Sequence, residues 1–452
     1  MDEMFETLVE NIKELIHSKN WAKLKVILED MNEQDIAELF MELEERELTL
    51  VYRLLPKELA AEVFVNMESE YQEALIRAFS DSELREVLDE LYVDDAVDMI
   101  EEMPATLVKR ILQHTDPEVR KSINEILRYP EDSAGSIMTI EYVDLKRNMT
   151  VADAFTRIRR TGVDKETIYT CYVTDSKRKL KGVVTAKDLL LSDESDLIRD
   201  IMEPNVISAS TFEDKEVVAD MFQKYDLLAL PVVDSEERLV GIVTVDDAID
   251  VLQEEATEDI EKMAAITPTD KPYLKMSVIE NFKKRIPWLM LLMVSATFTE
   301  KIINHFEGTL TACVALTAFI PMLTGTCGNC GAQSSATIIR GLSLGDIEFR
   351  DTLKVIFKEL RIALVCGIAL AIVNFAKLMI FDSVGPWVAL VVSFTMIMAV
   401  VFAKVVGSVL PVIAKKVGFD PAVMSSPFIS TIVDAVTLLI YFTVATNILN
   451  LK

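Results

Sequence analysis

The sequence predicts a multidomain membrane protein. It has an acidic, all-α, superhelical N-terminal region, an α/β region built as a tandem repeat, a long connecting helix and a transmembrane region of five helices. Three observations predict this. The 452 residues carry 73 Asp and Glu against 46 Lys and Arg, a formal net charge of −27, yet the mean hydropathy is +0.27. Those values conflict unless charge and apolarity are segregated, and they are: residues 280–452 hold 14 basic and 10 acidic residues, leaving −31 on residues 1–279. The second observation is a motif that recurs after about sixty residues. The third is a series of apolar runs of about 20 residues, long enough to cross a bilayer.

The charge already excludes some functions. Phosphate binding needs basic patches, so nucleic acid is not an expected partner, and a cation is the natural counterpart of the acidic half. Five Cys suggest no disulfide framework. The opening MDEMFETLVENIKELI reads as an acidic amphipathic helix, not a signal peptide. With three His, no nucleophile elbow and no phosphate-cradling Gly loop, nothing points to an enzyme.

Residues 1–130 repeat apolar positions at helical spacing, as in Ile36, Leu39, Leu43 and Leu84, Val87, Leu88, Leu91. Breakers at Leu55-Pro56, Ser80-Asp81-Ser82, Met103-Pro104 and Asp116-Pro117 cut them into short helices, which suggests a stacked bundle or superhelix of hairpins. The pattern then changes. Thr167–Val173 and Lys181–Thr185 read as strands, and the order recurs at Ala229–Val233 and Leu239–Thr244. Gly182-Val-Val-Thr-Ala-Lys-Asp188 aligns with Gly241-Ile-Val-Thr-Val-Asp-Asp247, and each copy is introduced by a similar phrase, Ser136-Ile-Met-Thr139 and Ile201-Met-Glu-Pro204. The repeat resembles a tandem pair of CBS domains, a βαββα module. The boundaries read are 1–130, 131–200 and 201–255, then a connecting (plug) helix over 256–282 and the membrane region over 283–452.

Five spans are expected, at 286–304, 311–339, 360–380, 386–413 and 422–448. Lys283-Lys284-Arg285, the group from Arg340 to Arg361, and Lys415-Lys416 all lie on one side of them, while the loops 305–309 and 381–385 lack Lys and Arg. The positive-inside rule places the N-terminal half in the cytoplasm and the C-terminus outside.

Asp434 lies about a dozen residues into the last span, roughly 18–20 Å deep. A carboxylate there costs at least about 2.5–3.5 kcal/mol on insertion scales, so it should face a watery path or a partner. Ser430, Thr431 and Thr437 form a polar stripe beside it. A structural Asp bonded to a neighbouring helix is the alternative. Residues 321–335, Pro-Met-Leu-Thr-Gly-Thr-Cys-Gly-Asn-Cys-Gly-Ala-Gln-Ser-Ser, predict a broken helix with free carbonyls lining a cavity, with Asn329 and Gln333 on one face. The alternative there is a small-residue packing seam. Cys327 and Cys330 form a lone CxxC and read as packing residues. In the acidic half, Asp94, Asp95, Asp98, Asp214, Glu216, Asp226, Asp246, Asp247, Asp250, Glu254, Glu255, Glu258 and Asp259 cluster on predicted helix faces. Oxygen-only ligands favour Mg²⁺ or Ca²⁺ over zinc or copper; a solvated acidic face is the alternative.

An acidic helical N-domain, paired CBS modules, an acidic connecting helix, Pro-x₃-Gly-x₂-Gly-Asn and a late Asp together resemble the MgtE family of magnesium channels and transporters. The resemblance covers essentially the whole chain. It implies a homodimer in the plasma membrane whose pore holds hydrated Mg²⁺ at Asp434, with Ser430 and Asn329 beside it. It also implies cytoplasmic regulatory Mg²⁺ sites at Glu62, Asp94, Asp98, Asp214, Glu216, Gln223, Asp226, Asp247, Asp250, Glu255, Glu258, Asp259 and Asp420. Mg²⁺ is then both cargo and regulator, Mn²⁺, Co²⁺ and Ca²⁺ being further candidate ions. CBS pairs often bind adenine nucleotides, which implies an ATP site at Thr185 and Asp188. Cys327 and Cys330 depart from the Gly or Thr usual in that family. The competing reading is a membrane-anchored nucleotide or cation sensor without a pore; a CBS-regulated anion channel would want a basic or dipole-lined pore instead.

Overall fold

The computed structural model describes residues 2–450 apart from Asp270, Pro272, Ser383 and Ser425. The chain divides into two compact units, residues 1–252 and 253–452.

Ten helices open the first unit: α1 (Asp2–His17), α2 (Trp21–Glu29), α3 (Glu33–Met41), α4 (Glu45–Tyr52), α5 (Lys57–Val65), α6 (Ser69–Ala78), α7 (Asp81–Leu88), α8 (Val93–Glu102), α9 (Ala105–His114) and α10 (Pro117–Ile126). Asn20, Asn32, Ser80 and Asp116 cap α2, α3, α7 and α10 by accepting a backbone N–H. Helices of 8–16 residues are marginal alone in water, so packing must hold them. Each buries an apolar stripe, such as Ile36, Leu39 and Phe40 on α3 or Leu84, Val87 and Leu88 on α7. Helices pack against the one after next: α3 on α5, α4 on α6, α5 on α7, α7 on α9 and α8 on α10. The result is a stacked array.

Two copies of a βαββα unit follow. The first holds β1 (Asp144–Lys146), α11 (Val151–Thr161), β2 (Thr170–Thr174), β3 (Leu180–Thr185) and α12 (Ala186–Leu191). After α13 (Ile198–Ile201), the second holds β4 (Ala209–Ser210), α14 (Lys215–Tyr225), β5 (Ala229–Val233), β6 (Leu239–Thr244) and α15 (Val245–Met263). Both sheets join a parallel pair to an antiparallel one, with matching registers, Val173 opposite Gly182 and Val232 opposite Gly241, and a bulge at the same place.

The introductory phrases are exchanged between the copies. Thr139 bridges to Ile242 of the second sheet, and Glu203 bridges back to Val183 of the first. Gly182 and Gly241 make room for this. A Cβ on Gly182 would lie 2.7 Å from Met202 Sδ, and one on Gly241 would lie 2.7 Å from Met138 Sδ and from the Thr139 carbonyl.

The expected connecting helix over 256–282 is not a single helix. Helix α15 runs on to Met263 and stops there because Ala265 turns left-handed, with φ 56°. The Ile266 N–H returns to the Glu261 carbonyl and the Ala265 N–H to Lys262, which closes the helix in a Schellman turn. Pro268 forbids a restart close by. The described residues between 264 and 277 form no helix, and Asp270 and Pro272 lie outside the described residues.

The second unit continues with α16 (Val278–His305), α17 (Glu307–Ala312), a 3-10 turn (Val314–Phe319), α18 (Ile320–Ser343), α19 (Thr352–Ile380), α20 (Pro386–Val417) and α21 (Ser426–Leu449). Among the described residues four helices are long and apolar enough to cross a membrane: α16, α19, α20 and α21, counting α19 from the short turn at Phe349. The Gly-, Thr- and Ser-rich α18 is as long as α21 but less apolar.

The expected break inside 321–335 is absent. Pro321 sits in the first turn of α18, where its missing N–H costs nothing, and the Gly-rich run continues as regular helix. The irregular backbone lies earlier, at Cys313–Phe319, and there the buried Tyr441 hydroxyl donates to the Leu316 carbonyl at 3.0 Å. The glycines serve close approach instead. A Cβ on Gly407 of α20 would stand 2.3 Å from the Gly331 carbonyl oxygen of α18, and one on Gly331 would stand 2.9 Å from Ile429 of α21. Cys327 and Cys330 are free and buried in the same apolar core.

Candidate metal-handling sites

Helices α8 and α15 each begin with two acids, Asp94 with Asp95 and Asp246 with Asp247. In the first unit these share one neighbourhood with Glu141 and Glu166. Burial, then repulsion from Asp247, Asp95 and Glu166, holds the Asp94 carboxyl well above the usual carboxylate range. Asp94 is only 7% exposed, and its Oδ1 has no hydrogen-bond partner. Burial with repulsion from Asp247 and Asp246 pushes Asp95 up to about 7. Glu166 is pushed up to about 8 by burial, Asp95, Asp246 and Asp247. Asp247 is pushed up to about 6 by burial, although the Thr244 hydroxyl donates to its Oδ2 at 2.6 Å. Such a set at neutral pH gains by taking up protons or a cation. Among the described residues no three His, Cys, Asp or Glu side chains stand ready to hold a metal ion, so chelation here requires side chains to turn inward.

The other acidic positions are dispersed. Asp98 is exposed one turn after Asp94, and Asp250 is raised by burial and by Asp246. Glu62 on α5 is repelled by Glu33 and Glu58, not by the α8 acids. Asp214 caps α14 by accepting the Glu216 N–H at 2.9 Å, while Gln223 is exposed and Asp226 closes the helix with φ 51°. The two ends of α14 are roughly 18 Å apart and cannot share an ion. Thr185 and Asp188 form the capping box of α12, the hydroxyl donating to Asp188 Oδ2 at 2.5 Å. Both atoms face solvent at a strand-to-helix turn.

In the second unit Glu258 and Asp259 of α15 meet Asp420, which caps the 3-10 turn Pro421–Val423. Lys262 already bridges them: its Nζ reaches Glu258 and lies 2.7 Å from Asp420 Oδ2. Burial lowers the Lys262 pKa, but the hydrogen bonds its ammonium donates to Asp420 and Glu258 outweigh it and hold it above the ordinary lysine value. Asp259 is raised by burial and by Asp420. Glu255 lies three residues before Glu258 on α15.

Asp434 is half-buried on α21, with Ser430 one turn before it. Gly328 of α18 faces both: a Cβ there would lie 3.3 Å from Ser430 Oγ and 3.8 Å from Asp434 Oδ1. Asn329 and Gln333 share the exposed face of α18, whereas Thr437 is buried. Sequence reasoning passes over Glu141, Glu166 and Lys262. No motif marks the two glutamates, and a lysine among acids reads as a solvated counterion.

Comparison with known proteins agrees along the chain. The MgtE family profile, described as a divalent cation transporter, matches residues 320–444; the MgtE intracellular N domain matches 31–132, and CBS domains match 134–194 and 198–254. The chain is 38% identical to the magnesium transporter MgtE of Thermus thermophilus over 98% of both chains. It is 32% identical to that of Bacillus subtilis over 98% of this chain and 97% of the relative. Its fold matches a crystal structure of the cytosolic domain of the Mg²⁺ channel MgtE in complex with ATP (39% identity, 54% of this chain, 99% of that one, TM-score 0.51). It also matches the soluble part of a magnesium transporter (31% identity, 56% and 99%, TM-score 0.53). With near full-length identity of this order, the chain belongs to the MgtE family of magnesium transporters.

Proposed function

We propose that the chain is a Mg²⁺ channel or transporter of the plasma membrane that intracellular Mg²⁺ closes. One observation carries the conducting reading: a half-buried carboxylate, Asp434, stands deep in an apolar helix, where a glycine of the facing helix leaves space beside it. Mg²⁺ dehydrates reluctantly, so Asp434 acts on the ion through its water shell, with Ser430 and Asn329 lining the approach. Counting α18 as the fifth span leaves the N-terminal half in the cytoplasm and the C-terminus outside. A homodimer pairs two such carboxylates across one path, and Mn²⁺, Co²⁺ and Ca²⁺ compete with Mg²⁺ there.

Regulation follows from the raised carboxyls around Asp94 and Asp247. Intracellular Mg²⁺ binds among these acids, with Glu62, Asp98, Asp214, Glu216, Gln223, Asp226, Asp250, Glu255, Glu258, Asp259 and Asp420 as contributing positions, and shifts the population toward a closed form. ATP binds at Thr185 and Asp188 as modulator, a reading supported by the ATP complex of the cytosolic relative. A bare membrane-anchored sensor does not explain Asp434. The test is Mg²⁺ flux into proteoliposomes. Asp434→Ala should abolish flux; unchanged flux removes the pore assignment. Combined Asp247→Asn, Asp250→Asn and Glu258→Gln should conduct while losing inhibition by Mg²⁺ on the cytoplasmic side; intact inhibition refutes the regulatory assignment.

A further inference from the structure

Among the described residues of the second unit two charged side chains are buried. Lys404 of α20 is 5% exposed and Glu359 of α19 is 7% exposed. Ser334 of α18 lies between them. Its hydroxyl donates to Glu359 Oε2 at 2.6 Å and accepts from Lys404 Nζ at 3.2 Å. The linkage therefore runs ammonium, hydroxyl, carboxylate, across three helices, and is neutral as a whole.

Its position relative to the pore helix matters. The Ala403 carbonyl, one residue before Lys404, packs on Gly331, whose other neighbours are Ile429 and Val433 of α21. Val433 adjoins Asp434. Lys404 is thus carried by a helix that packs against both α18 and α21, the helix of Asp434, and packed helix axes are about 8–10 Å apart. A lone positive charge at that range, in a medium far less polar than water, opposes the passage of any cation and opposes a divalent ion twice as strongly. Glu359 removes that opposition.

We propose that Glu359 is a positioning and charge-balancing residue for ion passage: through Ser334 it cancels the Lys404 ammonium and holds α18 against α19 and α20, so that the path beside Asp434 presents no net positive charge. The inference rests on the conducting reading above. It predicts an asymmetry that loss of packing alone does not produce. With Glu359 neutralised, the ammonium is unbalanced. With Lys404 neutralised, the charge left over is negative, and a negative charge does not oppose a cation.

The experiment is Mg²⁺ flux in proteoliposomes holding equal amounts of full-length protein, with thermal melting in detergent alongside. Glu359→Gln should lower flux about tenfold, Lys404→Met should stay within about threefold of wild type, and the double variant should recover to within about threefold. If Glu359→Gln does not fold, the reversed pair Glu359→Lys with Lys404→Glu carries the test: flux near wild type supports charge balance, and its loss in a folded protein overturns it. Equal losses in Glu359→Gln and Lys404→Met, or no recovery in the double variant, also overturn the proposal. Loss of flux in Asp434→Ala with wild-type flux in Glu359→Gln sinks the pair and spares the conducting reading. A wild-type protein that does not conduct sinks both.

Discussion

Lys262 Nζ stands 2.7 Å from Asp420 Oδ2 while also reaching Glu258, so a tethered ammonium supplies the positive charge between these two acids. Both ends of the Lys262–Asp420 contact are about a quarter to a third exposed, which makes it worth roughly 1 kcal/mol, not several. Lys262→Met should therefore make the contact depend on added metal. In chelator, limited proteolysis just after Met263 should rise about fivefold, and millimolar Mg²⁺ should return it to the wild-type rate. Cleavage in chelator that stays at the wild-type rate would show that Lys262 holds nothing there.

The approach of Gly407 to Gly331 leaves no room for a methyl group, because the obstacle is a backbone carbonyl that no side-chain rotation can move. Gly407→Ala should lower the stability of the detergent-solubilised protein by about 3 kcal/mol, the upper end of overpacking costs. Gly308→Ala, at a position with nothing within 4 Å of an added Cβ, should change it by less than about 0.5 kcal/mol. Thermal melting of both variants checks this contrast.

Gly328→Ala makes a gentler intrusion. Its Cβ would stand 3.3 Å from Ser430 Oγ and 3.8 Å from Asp434 Oδ1, so the helices can stay in place while the space for a hydrated ion shrinks. Mg²⁺ flux should fall about tenfold, with the melting temperature within about 2 °C of wild type. Full flux would place the ion's route elsewhere than between Gly328 and Asp434.

Acidity should stabilise the isolated soluble half, residues 1–263, in chelator. Asp95, Glu166 and Asp247 sit at about 7, 8 and 6, above the ordinary carboxylate value they regain on unfolding. The folded state therefore binds more protons than the unfolded state between about pH 4 and 8, and stability falls as pH rises through that window. Melting temperature should drop by several degrees from pH 5.5 to 8, at about 2–4 °C per kcal/mol for a domain of this size. Millimolar Mg²⁺ at pH 8 should restore it. A melting temperature that rises with pH in chelator would contradict the crowding of these carboxyls.

Part of this architecture was legible because its signals are local. The Gly-x-Val-Thr-x-x-Asp phrase is a strand end joined to a helix start, and in both copies the Thr hydroxyl donates to that Asp, at 2.5 and 2.6 Å. The exchange of Met138 and Met202 between the sheets was not legible, since each phrase pairs with the sheet of the other copy, Met138 with Gly241 about a hundred positions on and Met202 with Gly182. The run from Gly325 to Gly331 misled for a physical reason. Small residues in a membrane helix serve a broken backbone or a close contact equally well, and only Gly407, 76 residues further on, decides between them. Asp434 stood out as a charge in an apolar run. Lys404 did not, because its counter-charge Glu359 lies in another helix and averaging over a hydrophobic window hides a single lysine.

The two Thr–Asp pairs, Thr185 with Asp188 and Thr244 with Asp247, share one hydroxyl-to-carboxylate bond in two settings. The first aspartate opens its helix in full contact with water, whereas the second opens its helix among the crowded acids of α8 and α15. The two copies thus share one turn and differ in the charge that surrounds it. If ATP and Mg²⁺ bind where proposed above, they meet different halves of the pair, and two chemical signals reach the module without either displacing the other.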